Sequence, residues 1–545
     1  MCSIVGLVSR SGADVCPLLK TMLDQTRHRG PDGAGLAVGL AVERAGDVAE
    51  LAVDALSGLR GLGHSRLKIT GETGIQPLTG CGRGLVLAFN GEIWNHEPLR
   101  EGLEATDHVF TTDSDGEALI HQLEDEMCNA GDLVKAVEAV LRGLDGEYAF
   151  AVYGGLHDEF VLARDVVGVK QLYYGETAEH LAFCSEKKPL WDLSITPQRV
   201  LPGQIVKLAP DGSSGAWQFS VGGRVELARP GRQCETAQER GALEAYLKSL
   251  VEAVRKRVEG HDRVGIIFSG GVDSVLIARI AQRLGVDVRC YAGGLPGSSD
   301  VDLSRVAADA LGMPLAVSEL DQDRIESELP LILGAIESAN HLQVDVAIPI
   351  YFAVKRAAQD GIRVMLTGQG ADELFAGYQW YPEILAKSGA ESLRDSLWDD
   401  LSNLYKDTLE REDKITMFHS IELRVPYLDP SVISTAMRIA PTLKIRDGEL
   451  KHLHRRLAEQ VGVPHAIAWR PKEAAQHGSN VHETLKTVLS RMEEGLDVPA
   501  RHGRTEPDDA SEELGSAYRH GGDAYAGNGR YQKVLDSLGR AAGLA

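Results

Sequence analysis

The sequence has few cysteines and no long apolar run. Its seven cysteines are scattered over 545 residues without a Cys-x-x-Cys pair, so neither a zinc ribbon nor a disulfide framework is indicated. No apolar run approaches the roughly 20 residues that a membrane-spanning helix needs. The N-terminus also lacks the basic region and the apolar segment of a secretion signal. These absences predict a cytoplasmic protein without a membrane partner.

Positive charge is also scarce. The 57 lysines and arginines stand against 79 acidic residues, which gives a formal net charge of −22. This balance argues against nucleic acid as a nonspecific partner. A hydrophobic content of 43% and a charged content of 25% are typical of globular proteins. Because single cores stop growing at about 250–300 residues, two or three domains are expected.

A glycine-rich turn, Phe-Ser-Gly-Gly-Val-Asp-Ser, occupies residues 268–274. The apolar, β-branched residues 264–268 predict a buried strand before it, and the spacing after it predicts a helix. Gly270 and Gly271 would let the backbone approach a ligand closely, and the free amides at a helix start favour an anion. An isolated pair of glycines could equally serve only to turn a strand into a helix.

The polar residues of the same turn favour a nucleotide. Ser269 and Ser274 offer hydroxyl groups to phosphate oxygens, and Asp273 predicts Mg²⁺, because a carboxylate beside phosphates requires a cation between them. The turn lacks the Gly-Lys-Ser/Thr ending of the common phosphate loop. It resembles the Ser-Gly-Gly-x-Asp-Ser signature of the ATP pyrophosphatases, which implies attack at the α-phosphate of ATP and release of AMP and pyrophosphate.

A second glycine-rich turn, at residues 367–375, follows the apolar residues 363–366. Strand-like and helix-like segments alternate between the two turns, which predicts a doubly wound parallel α/β sheet with its ligands at the carboxyl ends of the strands. Asp372 in the second turn is therefore expected to share metal ions with Asp273. A single acid at such a position could be an ordinary helix cap.

The N-terminus suggests a nucleophile. If Met1 is removed, Cys2 carries a thiol and a free α-amine whose unperturbed pKa near 8 suits it as the base that forms the thiolate. A cysteine at position two does not by itself indicate a nucleophile. Short polar segments, however, follow at the ends of apolar runs: residues 28–33, 63–67, 89–96 and 112–115.

Together these segments resemble the glutaminase domain of class II amidotransferases, an α+β N-terminal-nucleophile fold of two stacked antiparallel sheets flanked by helices. The resemblance implies that Cys2 attacks glutamine to form a thioester and release ammonia. It implies an oxyanion hole formed by Asn90 and Gly91. The implied ligands of the charged groups of glutamine are Arg66 for the carboxylate and Asp115, with Glu92 nearby, for the ammonium.

The second half resembles the synthetase domain of glutamine-hydrolysing asparagine synthetases, and the match extends through residues 422–429 and 450–452. The resemblance implies that ATP and Mg²⁺ activate aspartate as an acyl adenylate, which ammonia from an internal channel then attacks. Lys451 would neutralise the transition state or pyrophosphate, unless it is only a surface lysine. The implied ATP-binding residues are Ile267, Ser269, Gly270, Gly271, Asp273, Ser274, Gly293, Thr367 and Gly368.

Two departures concern the acceptor. Synthetases of the bacterial type have Glu, which is associated with adenylate formation, where this chain has Gln369, and they tend to have Arg where it has Asp345. Aspartate is the expected acceptor, and another carboxylate is the alternative. A third hypothesis is an inactive protein that senses glutamine or a nucleotide, against which the intact nucleophile and both carboxylates argue.

The predicted organisation has four parts. The glutaminase domain spans residues 2–210, and residues 211–238 form a linker rich in Gly, Ser, Arg and Pro. The synthetase domain spans residues 239–490. Residues 491–545 form a tail expected to be loose except for a short helix at 531–538. The expected partners are glutamine, aspartate and ATP, and a homodimer is left open.

Overall fold

The computed structural model describes residues 2–82, 84–210, 217–224, 238–470, 478–495 and 529–544. The chain forms two compact units. The first comprises Met1–Leu227 with Met417–Glu422, and the second comprises Ala228–Thr416 with Leu423–Ala545. Within the described residues, no helix combines the length and the apolar character that crossing a bilayer requires.

The first unit consists of antiparallel strands and a few helices. Its strands are β1 (Ser3–Ser9), β2 (Ala34–Val38), β3 (Ala41–Ala45), β4 (Arg60–Ser65), β5 (Leu78–Thr79), β6 (Leu85–Ile93), β7 (Gly146–Gly154), β8 (Glu159–Arg164), β9 (Tyr173–Glu176), β10 (His180–Cys184), β11 (Gln198–Arg199), β12 (Gln204–Pro210) and β13 (Trp217–Arg224). Its helices are α1 (Cys16–Gln25), α2 (His96–Glu104), α3 (Asp115–Ala130), α4 (Leu133–Leu141) and α5 (Lys188–Asp192).

These strands form two stacked sheets, with the strand orders β11-β9-β10-β1-β4-β2-β3 and β13-β12-β8-β7-β6-β5. The successive side chains of β1 point to opposite faces. Ile4 packs in a core that includes Val86 of β6, whereas Val5 packs with Leu19 of α1. Helices α3 and α4 cover the other face of the second sheet. The predicted N-terminal-nucleophile sandwich is therefore confirmed.

The elements of the second unit alternate between strands and helices over most of its first half. They are α6 (Glu239–Val258), β14 (Arg263–Ile267), α7 (Val272–Arg283), β15 (Asp287–Gly294), α8 (Ser299–Leu311), β16 (Leu315–Glu319), α9 (Gln322–Ile336), α10 (His341–Gln359), β17 (Val364–Leu366), α11 (Ala371–Phe375), α12 (Tyr381–Leu404), α13 (Glu410–Phe418), β18 (Glu422–Arg424), α14 (Pro430–Arg438), α15 (Pro441–Lys444), α16 (His452–Gln460), α17 (His465–Ala468), α18 (Val481–Gly495) and α19 (Gly529–Ala541).

The sheet of this unit has the order β16-β15-β14-β17-β18. Strand β14 pairs in parallel with β15 on one side and β17 on the other, and β15 pairs in parallel with β16. The chain thus moves outward from β14 in one direction and later resumes on its other side. In such doubly wound sheets ligands bind where the order reverses, which here is between β14 and β17. The predicted parallel α/β sheet is confirmed.

Two segments differ from the prediction. Strand β13 lies inside the predicted linker and pairs with β12; residues 211–216 and 225–237 of that segment lie outside the described residues. Helix α19 extends beyond the predicted 531–538, and residues 496–528 lie outside the described residues.

Candidate active sites

Cys2 lies immediately before β1, in the middle of the first sheet. Its backbone nitrogen donates a hydrogen bond of 2.8 Å to the side-chain Oδ1 of Asn90 on β6. Asn90 is fully buried, and its Nδ2 has no hydrogen-bond partner among the described residues. An unpaired buried donor costs free energy. The Nδ2 group is therefore available to an anionic oxygen beside Cys2.

Gly91, the next residue of β6, fills a position that no other residue could. Its φ is 152°, and a Cβ there would lie 2.1 Å from the carbonyl oxygen of Glu147 and 2.6 Å from Cα of Tyr148. The constraint comes from the close pairing of β6 with β7. It explains why the residue that follows Asn90 is a glycine.

Arg66 follows β4 and is buried against the loop at residues 70–72. Its guanidinium donates hydrogen bonds to the carbonyl oxygens of Gly71 at 2.9 Å and Glu72 at 3.3 Å. The hydroxyl of Thr70 in the same loop donates to Oε2 of Glu92 at 2.6 Å. The loop therefore connects Arg66 with Glu92.

Asp115 is the first residue of α3. Its Oδ2 accepts a 2.9 Å hydrogen bond from the backbone nitrogen of Ile93 at the end of β6. Burial raises the pKa of the Asp115 carboxyl group. One strand therefore carries Asn90, Gly91 and Glu92 and is bonded to both Cys2 and Asp115. The residues that were predicted to bind and hydrolyse glutamine therefore lie close together in the structure.

Arg29 is a residue of this site that the sequence analysis did not single out. It is fully buried, and it donates from Nε to the carbonyl oxygen of Cys2 at 3.2 Å and from Nη1 to Glu186 Oε1 at 3.2 Å. Burial opposes ionisation of Glu186, but the neighbouring His28 and Lys188 hold its pKa well below the usual value. Arg29 thus fixes the backbone of Cys2. The rigid turn at 28–33 was its only signal in the sequence.

The Cys2 thiol is not activated by its surroundings alone. Burial raises the pKa of the thiol, and the opposing positive charges of the N-terminus and Arg66 do not outweigh this effect. The side chain therefore remains protonated near neutral pH. A nucleophilic role requires a base that removes its proton.

In the second unit, three charged side chains meet. Nζ of Lys451 donates to both carboxylate oxygens of Asp273, at 2.6 and 2.7 Å, and lies 2.7 Å from Oδ1 of Asp372. Lys451 is only 2% exposed, so it is not a surface lysine. Its burial opposes the charge, but the two carboxylates raise its pKa above the ordinary value. His454 Nε2 lies 3.1 Å from Asp273.

The fold explains this convergence. Asp273 lies in the first turn of α7 after β14, and Asp372 lies in the first turn of α11 after β17. These two strands are neighbours at the point where the strand order reverses. The two carboxylates therefore reach the same edge of the sheet. Paired carboxylates suit Mg²⁺, which is commonly held by one or two of them together with substrate phosphates.

The glycine turns allow the backbones to approach each other. A Cβ at Gly270, whose φ is 68°, would lie 2.6 Å from the backbone of Leu303. A Cβ at Gly368 would lie 3.0 Å from Cβ of Asp273 and from the amide nitrogen of Ser274. The turn after β17 is thus pressed against the start of α7. A side chain at either glycine would displace the turn at residues 268–274.

The serines of the turn bond locally. The hydroxyl of Ser269 accepts a hydrogen bond from the amide of Gly271 at 3.3 Å, and the Ser274 hydroxyl donates to the carbonyl oxygen of Gly271 at 3.2 Å. The hydroxyl of Tyr427 also donates a hydrogen bond of 2.9 Å to the carbonyl oxygen of Asp273. The turn is therefore held in shape by its own hydroxyl groups and by Tyr427.

The residues predicted to surround adenosine lie at three strand ends. Ile267 is the last residue of β14, and Thr367 directly follows β17. Gly293 lies on β15, where a Cβ would come within 2.2 Å of the carbonyl oxygen of Pro349 in α10. This close packing by itself requires a glycine at 293. A contact of Gly293 with adenosine stays a prediction.

The two residues that depart from the bacterial pattern are both held by polar partners. Gln369 Nε2 donates to Oε1 of Glu412 on α13, whose Oε2 accepts from Thr367 at 3.1 Å. Glu412 is fully buried, and burial raises its pKa. Asp345 lies in the interior of α10 with its carboxylate 2.5 Å from Nδ1 of His482. Neither Glu412 nor His482 was predicted from the sequence to lie near these two residues.

The N-terminal and C-terminal parts of the chain match two different protein families. Residues 1–246 match a family described as "Glutamine amidotransferase domain", and residues 245–392 and 385–513 match one described as "Asparagine synthase". The chain is 35% identical to a putative glutamine-hydrolysing asparagine synthetase of Methanocaldococcus jannaschii, covering 90% of this chain and 96% of that protein. It is 28% identical to an asparagine synthetase of Saccharomyces cerevisiae, covering 87% and 86%, and 27% identical to one of Bacillus subtilis, covering 92% and 88%.

Proposed function

Because the chain belongs to the family of glutamine-hydrolysing asparagine synthetases, we propose that it uses glutamine and ATP to convert aspartate to asparagine, with AMP and pyrophosphate as products. The observation that carries the proposal is the convergence of Asp273 and Asp372 on the buried ammonium of Lys451. Carboxylates beside a triphosphate require cations between them. This cluster supplies both the carboxylates and one cation at the switch point of the sheet.

In the first reaction the Cys2 sulfur attacks the amide carbon of glutamine. Once Met1 is removed, the α-amine of Cys2 takes the thiol proton, which burial otherwise retains. Asn90 can both position Cys2 and stabilise the oxyanion. Its Oδ1 accepts a hydrogen bond from the backbone nitrogen of Cys2, and its Nδ2 can donate to the oxyanion together with the amide of Gly91. Ammonia leaves, and water then hydrolyses the glutamyl thioester to glutamate.

Recognition of glutamine requires complementary charges at its two ionic ends. Arg66 supplies a guanidinium fork for the α-carboxylate and is held in place by the loop at residues 70–72. Asp115 and Glu92 supply carboxylates for the α-ammonium. Asp115 is hydrogen-bonded to the strand that bears Asn90. The distance between the bound ammonium group and the oxyanion hole is therefore fixed.

In the second reaction an oxygen of the aspartate side-chain carboxylate attacks the α-phosphorus of ATP, and pyrophosphate leaves. Magnesium held by Asp273 and Asp372 would neutralise the β- and γ-phosphates. Lys451 supplies a fixed positive charge where charge develops in the transition state. Ammonia then attacks the acyl carbon of the adenylate, releasing AMP and leaving asparagine.

The test of this function is a product assay with aspartate, glutamine, ATP and Mg²⁺. Asparagine, AMP and pyrophosphate are expected in equal amounts. Formation of ADP and phosphate would overturn the proposed attack at the α-phosphate. A protein that turned over neither glutamine nor ATP with any acid would instead favour the sensing hypothesis.

A second acceptor is favoured by one observation. Gln369 is uncharged and bonded to Glu412, and Asp345 is buried against His482, so neither offers a free charge to an amino-acid acceptor. The same chemistry could therefore act on another carboxylate. A screen of acids by pyrophosphate release separates the two functions, since aspartate should give the highest kcat/KM if it is the substrate.

Replacing Gln369 by Glu is expected to lower activity, although it introduces the residue of the bacterial-type synthetases. The new carboxylate would face Glu412, and one of the two would have to take up a proton. We expect kcat/KM for the acceptor to fall roughly tenfold or more, since one unit of pKa corresponds to about 1.4 kcal/mol. Steady-state kinetics of pyrophosphate release measures this change.

The matched control is the double variant Q369E/E412Q, which exchanges the two groups and restores an amide–carboxylate pair. It is expected to recover most of the lost activity. An increase in the single variant, or no recovery in the double variant, would show that the Gln369–Glu412 contact does not support the site.

A further inference from the structure

Four side chains that take no part in the proposed reactions meet beside α3. Cys81 follows β5, His108 lies in the segment between α2 and α3, and His121 and Glu124 lie on α3 itself. One donor atom from each lies within 4.8 Å of the others. We propose that these four side chains bind a zinc ion, which would be a structural metal site separate from both reaction centres.

The separations of the donor atoms fit a tetrahedral ion. Sγ of Cys81 lies 3.4 Å from Nδ1 of His121, which in turn lies 3.0 Å from Oε2 of Glu124. Nδ1 of His108 lies 3.8 Å from the same carboxylate oxygen. Bonds of about 2.0–2.3 Å to a tetrahedral zinc place neighbouring ligand atoms about 3.3–3.7 Å apart. Small shifts therefore suffice to close the site.

The outer nitrogens of both imidazoles face carboxylates. Nε2 of His108 lies 2.9 Å from Oδ1 of Asp125, and Nε2 of His121 lies 3.7 Å from Oε1 of Glu117. Metal-binding histidines commonly present their second nitrogen to a carboxylate in this way, because it fixes the ring and strengthens the ligand. Each histidine thus turns Nδ1 towards the other donors.

His108 provides an independent indication of a ligand. Its side chain is only 9% exposed, and its Nδ1 has no hydrogen-bond partner among the described residues. The atom points towards Glu124 and His121, whose ring centroid is 4.8 Å from its own. A zinc ion would satisfy this nitrogen. Thiolate, imidazole and carboxylate groups are all zinc ligands, and four of them leave no open position on a tetrahedral ion.

The position of the site gives it a structural role. A Cβ at Gly80 would lie 2.2 Å from Oε1 of Glu124, so the backbone before Cys81 is already held against α3. Zinc would fasten α3, the chain after β5 and the segment before α3 to one another. Asp115 begins α3, and the site therefore supports the helix that carries a proposed glutamine ligand.

Zinc content tests the proposal directly, and this readout does not depend on the proposed enzyme activity. The full-length protein is incubated with excess zinc, dialysed and measured by mass spectrometry for metal per chain. We expect about one zinc per chain. Cys81→Ser should weaken binding at least about tenfold, because loss of a metal ligand exceeds the tenfold to hundredfold cost known for outer partners.

Cys128→Ser is the matched control, since Cys128 is a second exposed cysteine and lies on α3. It should bind zinc like the unmodified protein. With cobalt in place of zinc, the sulfur-to-metal absorption band should disappear in the Cys81 variant alone. Because Cys81 is exposed, its replacement leaves the core intact. A protein that keeps no zinc after dialysis, or equal binding by both variants, would overturn the proposal.

Discussion

Cys2→Ala is expected to abolish asparagine formation from glutamine while leaving formation from free ammonia within about twofold. Removal of a covalent nucleophile lowers turnover on the order of 10⁴-fold or more. The substitution removes only a sulfur atom beside Asn90, whose hydrogen bond to the backbone of residue 2 is retained. The ammonia-dependent reaction is expected to persist because its residues lie in the second unit. Assays with glutamine and with ammonium chloride measure the two activities.

The matched control for this variant is Cys16→Ala. Cys16 is also buried and free, but it lies on α1, packs against the first sheet and has no part in the proposed chemistry. It should keep both activities in the folded protein. Glutamine use by the Cys2 variant, or equal loss of both activities in it, would show that Cys2 is not the nucleophile.

Lys451→Met is expected to reduce pyrophosphate release with either nitrogen source, on the order of 10²–10³-fold, as for the loss of one group that stabilises transition-state charge. Methionine keeps most of the length of the side chain but removes the ammonium that lies 2.6–2.7 Å from Asp273 and Asp372. The two carboxylates would then repel each other and the phosphates. Glutaminase activity should stay unchanged.

Lys414→Met provides the control for the general cost of removing a buried charge. Lys414 also bridges two acids, at 2.7 Å from Glu337 and 2.8 Å from Glu410. Its loss should lower the free energy of unfolding but not the turnover of the folded fraction. If both lysine variants lost activity only in proportion to their stability, Lys451 would have no role in the chemistry.

The convergence of Asp273 and Asp372 could be predicted because both follow apolar strands. The carboxyl ends of parallel strands meet at one edge, so two acidic turns about a hundred positions apart in the sequence become neighbours. Residues 89–96 were similarly informative, since one strand delivers Asn90, Gly91 and Glu92 together. Short polar motifs at strand ends therefore allowed the proximity of these residues to be predicted.

Contacts between segments distant in sequence could not be predicted in this way. Glu412 reaches Gln369 from α13, and Arg29 reaches the backbone of Cys2 from a turn. The proposed zinc ligands extend from position 81 to position 124, without the close spacing by which zinc motifs are identified. Their association depends on how α3 packs against neighbouring chain segments. Such packing follows from the tertiary structure, which local patterns do not encode.

In the proposed synthetase reaction, aspartate attacks the α-phosphorus of ATP beside Asp273, Asp372 and Lys451. The most direct measurement uses aspartate labelled with ¹⁸O in its side-chain carboxylate, followed by mass spectrometry of the nucleotide and phosphate products. One labelled oxygen is predicted to appear in each AMP, because the acyl adenylate leaves that oxygen on phosphorus when ammonia attacks the carbon. Label in inorganic phosphate together with ADP, or unlabelled AMP, would contradict attack by aspartate at the α-phosphorus.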